Sequence, residues 1–417
     1  MIRLTNSYGA QGFRRLAVHT VRVSYRLRVA VLFVCAGLFA GCSGGGGNSP
    51  SPHITPTPGA STPTPSGATP TPAPSSHASP TATPSGPVVT PSPGPPATAL
   101  PTAAYVFGNL VPSSTYGEID IFPKGSVGTA TPTRLTSTDL SVLGGILAVS
   151  PSGTVVGSGA CPPCSYTLVK FSASAIGLNA TPTAVINYPG HPNASPLVSP
   201  GALAFDKNGY LYAIQGAQSV PSEPASIFII NPGGSGSLSG QYQTIAGSST
   251  MLSGVNQSGL AVDASGNIYA ALEPSTGAPY VAVYPPGEYG NVAPARVISG
   301  SNTGFKMPGS IGVSAGGTLY VFDTQSQEVF VFAPGANGNV LPIAEFQSPQ
   351  MPYSSPMAVD ASGNVYAYNL TNLSGPQALI VFDVGASGFV APAFSITMPT
   401  YLGGDSGGPS GIAVAPT

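Results

Sequence analysis

From Ala103 onward, short apolar runs alternate with clusters of Gly, Pro, Asn, Asp and Ser. A run such as Val281-Ala282-Val283-Tyr284, bounded by turn residues, predicts a short half-buried strand. The same two-strand pattern returns down the chain: ILAVSPSGTVV from residue 146, ALAFDKNGYLYAI from 202, GLAVDASGNIYAA from 259, IGVSAGGTLYVF from 311 and MAVDASGNVYAY from 357. Its second residues, Ala148, Ala204, Ala261, Gly312, Ala358 and Ala413, recur every 46 to 57 positions. The Asp-Ala-Ser-Gly-Asn segments are hairpin turns: Asp bonds its own backbone and Gly takes the positive φ.

A second pattern follows each of these. It reads VAVYPPGEYGNVAPARVI from 281, VFVFAPGANGNVLPIAEF from 329 and LIVFDVGASGFVAPAFSI from 379, with weaker copies from 119 and 167. Each unit therefore holds four strands, and four strands at this period predict propeller blades. The chain stops at GIAVAPT, a first strand without partners, and the repeat region opens on AAYVFGN, which reads as a second strand. Joined, the two ends complete a sixth blade. The prediction is an all-β, six-bladed β-propeller over 102–417, closed by a shared blade that removes two sheet edges.

The Gly-(Ile/Leu)-Ala-Val-Asp-x-x-Gly-Asn-(Ile/Val)-Tyr motif resembles NHL-type repeats and related six-bladed propellers. That resemblance implies a fold hosting ligand-binding modules, adhesion domains and some lactonase or lyase enzymes. A fold shared so widely narrows function little.

The first hundred residues read differently. Six of the twelve basic residues precede position 29, and the apolar run Val29–Ala40 follows them. Twelve apolar residues match the core of a secretory signal and are too few to span a bilayer. Ala40-Gly41-Cys42 resembles the lipobox of bacterial lipoproteins, with Phe39 where that family usually has Leu. The resemblance implies a signal over 1–42, export, and a lipid on Cys42 that anchors the protein to a membrane, facing the periplasm or the cell surface. Residues 43–101 are almost wholly Gly, Ser, Pro, Thr and Ala. They have too little apolar surface to offset ordering entropy, which predicts a disordered tether. At about 3.1 Å per residue it reaches at most roughly 180 Å.

Charge bounds the partners. Only 6% of the chain is charged, and beyond the signal fourteen acidic residues face six basic ones. Such a surface does not attract phosphate backbones, so nucleic acid is not an expected partner.

Three motifs carry candidate chemistry. Gly404–Pro409 (GDSGGP) matches the nucleophile motif of trypsin-like proteases, but that chemistry needs a His base with its own buried Asp. The repeat region has one His, His191, in an unrelated loop, so we read the motif as a Gly-rich loop. Cys161-Pro-Pro-Cys164, in an exported protein, reads as a disulfide pair. No second Cys pair completes a zinc site. Asp206, Asp263 and Asp360 read as turn residues, and Tyr105, Tyr212, Tyr269, Tyr320 and Tyr366 as packing between blades.

The ends of the second strands carry Gln215, Leu272, Asp323 and Asn369, with Glu273 next to Leu272. In propellers such positions approach the central channel. Gln215, Glu273, Asp323 and Asn369 are the candidate ligand set, with oxygen atoms suited to a polar ligand or a Ca²⁺ ion. No other cofactor is expected. Three functions follow: a binding or scaffolding module for a glycan, protein or small molecule; a Ca²⁺-dependent lactonase-like hydrolase or lyase; or a structural surface protein. Scarce ionisable groups and Ser-, Asn-, Gly- and Tyr-rich loops favour the first.

Overall fold

The computed structural model describes residues 99–415, apart from 109–115, 141–144, 160–166, 188–199, 216–224, 237, 239, 253–254, 352–355, 370–376 and 399–410, and the side chains of 187 and 255–258. The chain separates into residues 1–80 and 81–417, and everything below belongs to the second unit. The signal, Cys42, the tether up to residue 98, Cys161, Cys164 and the 404–409 motif lie outside the described residues.

Six antiparallel sheets make six blades. Blade 1 joins the chain ends: β1 (Ala104–Gly108), β2 (Gly117–Phe122) and β3 (Thr133–Ser137) continue a first strand supplied by the C-terminus. Blade 2 is β4 (Leu147–Val149), β5 (Val155–Ser158), β6 (Thr167–Phe171) and β7 (Ala184–Asn187). Blade 3 is β8 (Ala202–Phe205), β9 (Leu211–Gln215), β10 (Ser226–Ile230) and β11 (Tyr242–Ala246). Blade 4 is β12 (Val255–Val262), β13 (Ile268–Pro274), β14 (Tyr280–Tyr284) and β15 (Arg296–Ser299). Blade 5 is β16 (Pro308–Val313), β17 (Leu319–Asp323), β18 (Glu328–Phe332) and β19 (Ala344–Gln347). Blade 6 is β20 (Ala358–Val359), β21 (Val365–Asn369), β22 (Ala378–Phe382) and β24 (Phe394–Thr397). The short β23 (Gly388–Phe389) leaves blade 6 to pair in parallel with β19, giving blade 5 a fifth strand.

The closing strand is β25 (Gly411–Val414), in register with β1 from Ala104↔Val414 to Phe107↔Gly411. Ring closure by a shared blade is thus the observed architecture. It gives β1 a partner on each side, and β25 takes the innermost place that the first strand holds in the other blades.

The strands differ from the half-buried expectation, and the reason is the ring itself. In β18, Val329 and Val331 pack into the core shared with blade 6, while Phe330 and Phe332 pack into the core shared with blade 4. β14 divides likewise, with Tyr280, Ala282 and Tyr284 toward blade 3 and Val281 and Val283 toward blade 5. Successive side chains point to opposite faces, and both faces meet another blade, so β14 and the Val329–Phe332 run of β18 are apolar on both faces. Six cores, one at each blade boundary, replace a single central one.

The turns between first and second strands are built as the sequence predicts. In blade 6, Asp360 Oδ1 accepts from the backbone N–H groups of Ser362, Gly363 and Asn364. Its Oδ2 accepts from the Asn364 side chain and from the Tyr366 hydroxyl, each at 2.9 Å. Asp263 repeats this with Ser265, Asn267 and Tyr269. The repeated tyrosines therefore have two roles. Their rings pack between blades, and the hydroxyls of Tyr269 and Tyr366 lock their own blade's turn.

A second seam runs around the outside. The outermost strand of each blade makes a parallel bridge to a Gly in the neighbouring blade: Leu135↔Gly177, Ile186↔Gly236, Ile245↔Gly290, Ile298↔Gly338, Phe346↔Gly388 and Ile396↔Gly128. All six glycines have φ between 52° and 108°, a region costly for residues with a Cβ. These glycines are what the second sequence pattern encodes.

Candidate functional site: the central channel

The first strand of each blade stands nearest the axis, and together these strands wall a passage. Its lower part, on the side of the turns between first and second strands, is a cavity of about 370 Å³. Its upper part is a cavity of about 290 Å³. The two share Leu147, Leu203, Leu260, Ile311 and Ile412, which form an apolar waist. Below the waist comes the ring Ala148, Ala204, Ala261, Gly312, Ala358 and Ala413, the six positions that the repeat aligns. Small residues are needed there because six strands converge. Among the described residues the polar side chains of the lining come at the mouths: Asp206, Lys207, Asp263 and Ser314 below, Ser310 and Thr324 above.

The four candidate residues lie elsewhere. Gln215, Glu273, Asp323 and Asn369 end second strands, and none of them lines either cavity. For two of them a first-strand residue stands on the axial side: Asn256 of β12 pairs with Glu273 of β13, and Pro308 of β16 pairs with Asp323 of β17. Gln215 is buried opposite Ser226, and Glu273 and Asn369 are half-buried. Only Thr324, one residue past Asp323, reaches the upper cavity, and its hydroxyl donates to the Met307 carbonyl oxygen.

Asp323 has a structural occupation. It is fully buried, and its Oδ2 accepts from the backbone N–H groups of Lys306 and Met307, both at 2.7 Å. Its Oδ1 accepts from the N–H groups of Gln325 and Ser326 and from the Ser326 hydroxyl, at 2.9 to 3.1 Å. It ties the loop entering blade 5 to the turn between its second and third strands. A carboxylate with five donors on it has no lone pair to offer a cation. Among the described residues no group of three or more His, Cys, Asp or Glu is placed to hold a metal ion. These residues do not fit a channel Ca²⁺.

A cluster that the repeat pattern hides lies in blade 1. Glu118 and Asp120 share one face of β2, both buried, and Arg134 of β3 lies opposite. Arg134 Nε donates to Asp120 Oδ1 at 2.9 Å and pairs with Glu118 Oε1. Burial, and then the neighbouring Asp120 charge, push the Glu118 carboxyl up to about 7 against the pull of Arg134. The signal in the sequence was a departure from the repeat. Where Asp120 stands, blades 4, 5 and 6 carry Ala282, Phe330 and Ile380.

No protein-family model matches the chain, and no curated protein sequence does either. Solved structures share its overall form at low identity. A protein of unknown function from Bacteroides caccae is 13% identical over 75% of this chain and 98% of its own, with a TM-score of 0.47. TolB from Acinetobacter baumannii is 13% identical over 76% of this chain and 67% of its own, also at 0.47. A gluconolactonase from Xanthomonas campestris is 14% identical over 66% of this chain and 95% of its own, at 0.37. The fold assignment rests on the sheet order and ring closure, and these likenesses assign no activity.

Proposed function

We propose that the protein is an exported, lipid-anchored propeller that binds or scaffolds a partner outside the cytoplasm. The observation that carries this reading is how its carboxylates are used. Asp206, Asp263 and Asp360 accept turn hydrogen bonds, Asp323 caps a loop, and Asp120 pairs with Arg134. Acid–base or metal-assisted hydrolysis needs such groups at a cavity with capacity to spare. The channel instead presents an apolar waist and two polar mouths, the arrangement of a site that holds a ligand. NHL-like repeats and a lipobox-like Cys42 support the same reading. They suit a domain held at the cell envelope, with a glycan, protein or small molecule as its ligand.

Two measurements test it. Mass spectrometry of the mature protein should find a diacylglycerol-modified Cys42 at the N-terminus, and Cys42→Ala should abolish membrane recovery. A glycan array and an envelope-protein pull-down, run with the wild type and with Ser310→Tyr, which crowds the upper mouth, should give retention that the variant loses. Stoichiometric Ca²⁺ in the purified protein, lost together with lactone hydrolysis in Asp323→Ala, would overturn the binding reading in favour of an enzyme.

A further inference from the structure

The channel waist is apolar in its side chains but not in its backbone. Each first strand is the last strand of its sheet, so one edge is bonded to a second strand and the other faces the axis. In blade 3 the Asp206 N–H donates to the Tyr210 carbonyl at 3.1 Å, and Ala204 stands opposite Tyr212 in the same register. Hydrogen-bonded residues alternate along an antiparallel strand. Leu203 and Phe205 fall between the bonded ones, so both turn their N–H and carbonyl toward the axis. The other five blades share this phase. The N–H groups of Ser150, Asp263, Ser314, Asp360 and Ala415 all donate, at 2.9 to 3.1 Å, to the chain that enters the second strand.

Two tiers of main-chain groups result. The five waist residues make the upper tier. The residue two positions further along each first strand, such as Phe205 or Val262, makes the lower. Among the described residues these axial N–H and carbonyl groups have no protein partner. The waist side chains do not cover them, because they turn into the blade boundaries. Leu203 packs against blade 2, Leu260 against blade 3 and Ile311 against blade 4.

This lining selects by chemistry. A wholly apolar ligand would strip water from unpaired main-chain groups and return no hydrogen bond. A charged ligand would meet no ionisable side chain at the waist. A sugar would find one aromatic ring to stack on among the described lining residues, that of Phe205. An uncharged rod with donors and acceptors at the spacing of a β-strand meets every requirement. An extended peptide pairs with an open sheet edge in this way. The two cavities, of about 370 and 290 Å³ on one axis, suit a short peptide with small side chains.

We infer that the channel is a peptide site: a short, uncharged, extended segment enters along the axis and adds a strand to one of the first strands. Its main chain is held and its side chains are read little. This names the ligand class of the binding reading above and rests on that reading.

The probe is an N-acetylated, C-amidated Ala-Gly hexapeptide, titrated into the full-length protein. A companion series replaces one amide at a time by an ester, which lacks the N–H donor. Binding should be saturable. Esters at alternate positions should weaken it about two- to tenfold and those between should be near neutral, because every second residue of an added strand bonds its partner. Amide exchange followed by mass spectrometry should slow around Leu203, Leu260 or Ile311 when the probe is bound. A flat ester series, or bound probe with no slowing there, overturns the peptide inference. Retention of a glycan or a folded envelope protein with no uptake of the probe also overturns it, and leaves the binding reading standing. No retention of glycan, envelope protein or probe sinks the binding reading and this inference with it.

Discussion

Ile298, in the outermost strand of blade 4, forms a parallel bridge with Gly338 in blade 5. Gly338 donates its N–H to the Val297 carbonyl at 2.7 Å, and its carbonyl accepts from the Ser299 N–H at 3.1 Å. Its φ is 75°, and a Cβ added there would meet open space. The cost of a side chain is therefore conformational alone. Gly338→Ala should destabilise the ring by about 1 kcal/mol. The melting temperature should fall by about 2 °C, and Gly338→Asn, which tolerates this region better, should fall less. Scanning calorimetry on the two variants decides it; a Gly338→Ala protein as stable as wild type would mean the seam does not need a left-handed residue.

Gly312 invites a substitution that the repeat recommends, because the five other blades carry Ala at this position. The structure points the other way. A Cβ on Gly312 would lie 2.4 Å from Val359 Cγ2 and 2.6 Å from Val359 Cβ, in the neighbouring blade. Gly312→Ala should cost about 1–3 kcal/mol through overpacking. Val359→Ala in the same chain should recover much of it, a non-additivity that a double-mutant cycle by chemical denaturation would measure. Strict additivity would remove the steric explanation.

The difference between these two positions shows what the sequence exposes. Repeats, turn chemistry and ring closure were legible because each is local or periodic. Asp360 reaches only to Tyr366, and the Ala148-to-Ala413 series declares itself by spacing. The bridge from Ile298 to Gly338 was not legible, because it joins two backbones across a blade boundary and no side-chain type records it. The channel was legible as a place but not in its lining. Gln215, Glu273, Asp323 and Asn369 were assigned to it by position along the strand, whereas an inner-strand residue stands in front of Glu273 and Asp323. Asp323 shows how an acidic residue at a strand end can serve its own loop instead. The Glu118–Asp120 pair left one mark in the sequence: Asp120 at a position where blades 4, 5 and 6 carry Ala282, Phe330 and Ile380.

The last strand should matter to the whole ring. β25 pairs with β1 over four residues, and it gives Ile412 to the core between blades 6 and 1 and Ala413 to the core between blades 1 and 2. Removing residues 411–417 opens two interfaces at once and exposes the edge of β1. Thermal unfolding of the truncated protein should begin far below that of wild type and lose its single sharp transition. An unchanged melting curve would mean the ring is not held by its ends.

Blade 1 should also make stability depend on pH, with a sign set by Glu118. Its carboxyl is raised from an ordinary 4.5 to about 7, mainly by burial. Between those values the folded ring keeps a proton that the unfolded chain has released. The folded state then binds more protons, so stability falls as pH rises through the window from about 4.5 to 7. Below it the group costs nothing; above it a buried carboxylate persists beside Asp120, with Arg134 offsetting only part of the cost. Glu118→Gln keeps the shape, leaves the Arg134–Asp120 pair in place and cannot ionise. The variant should match wild type near pH 4.5 and exceed it in melting temperature near pH 8, with a flatter slope between. Melting curves at half-unit pH steps would show this, and parallel pH profiles for the two proteins would mean that Glu118 is already ionised in the folded blade.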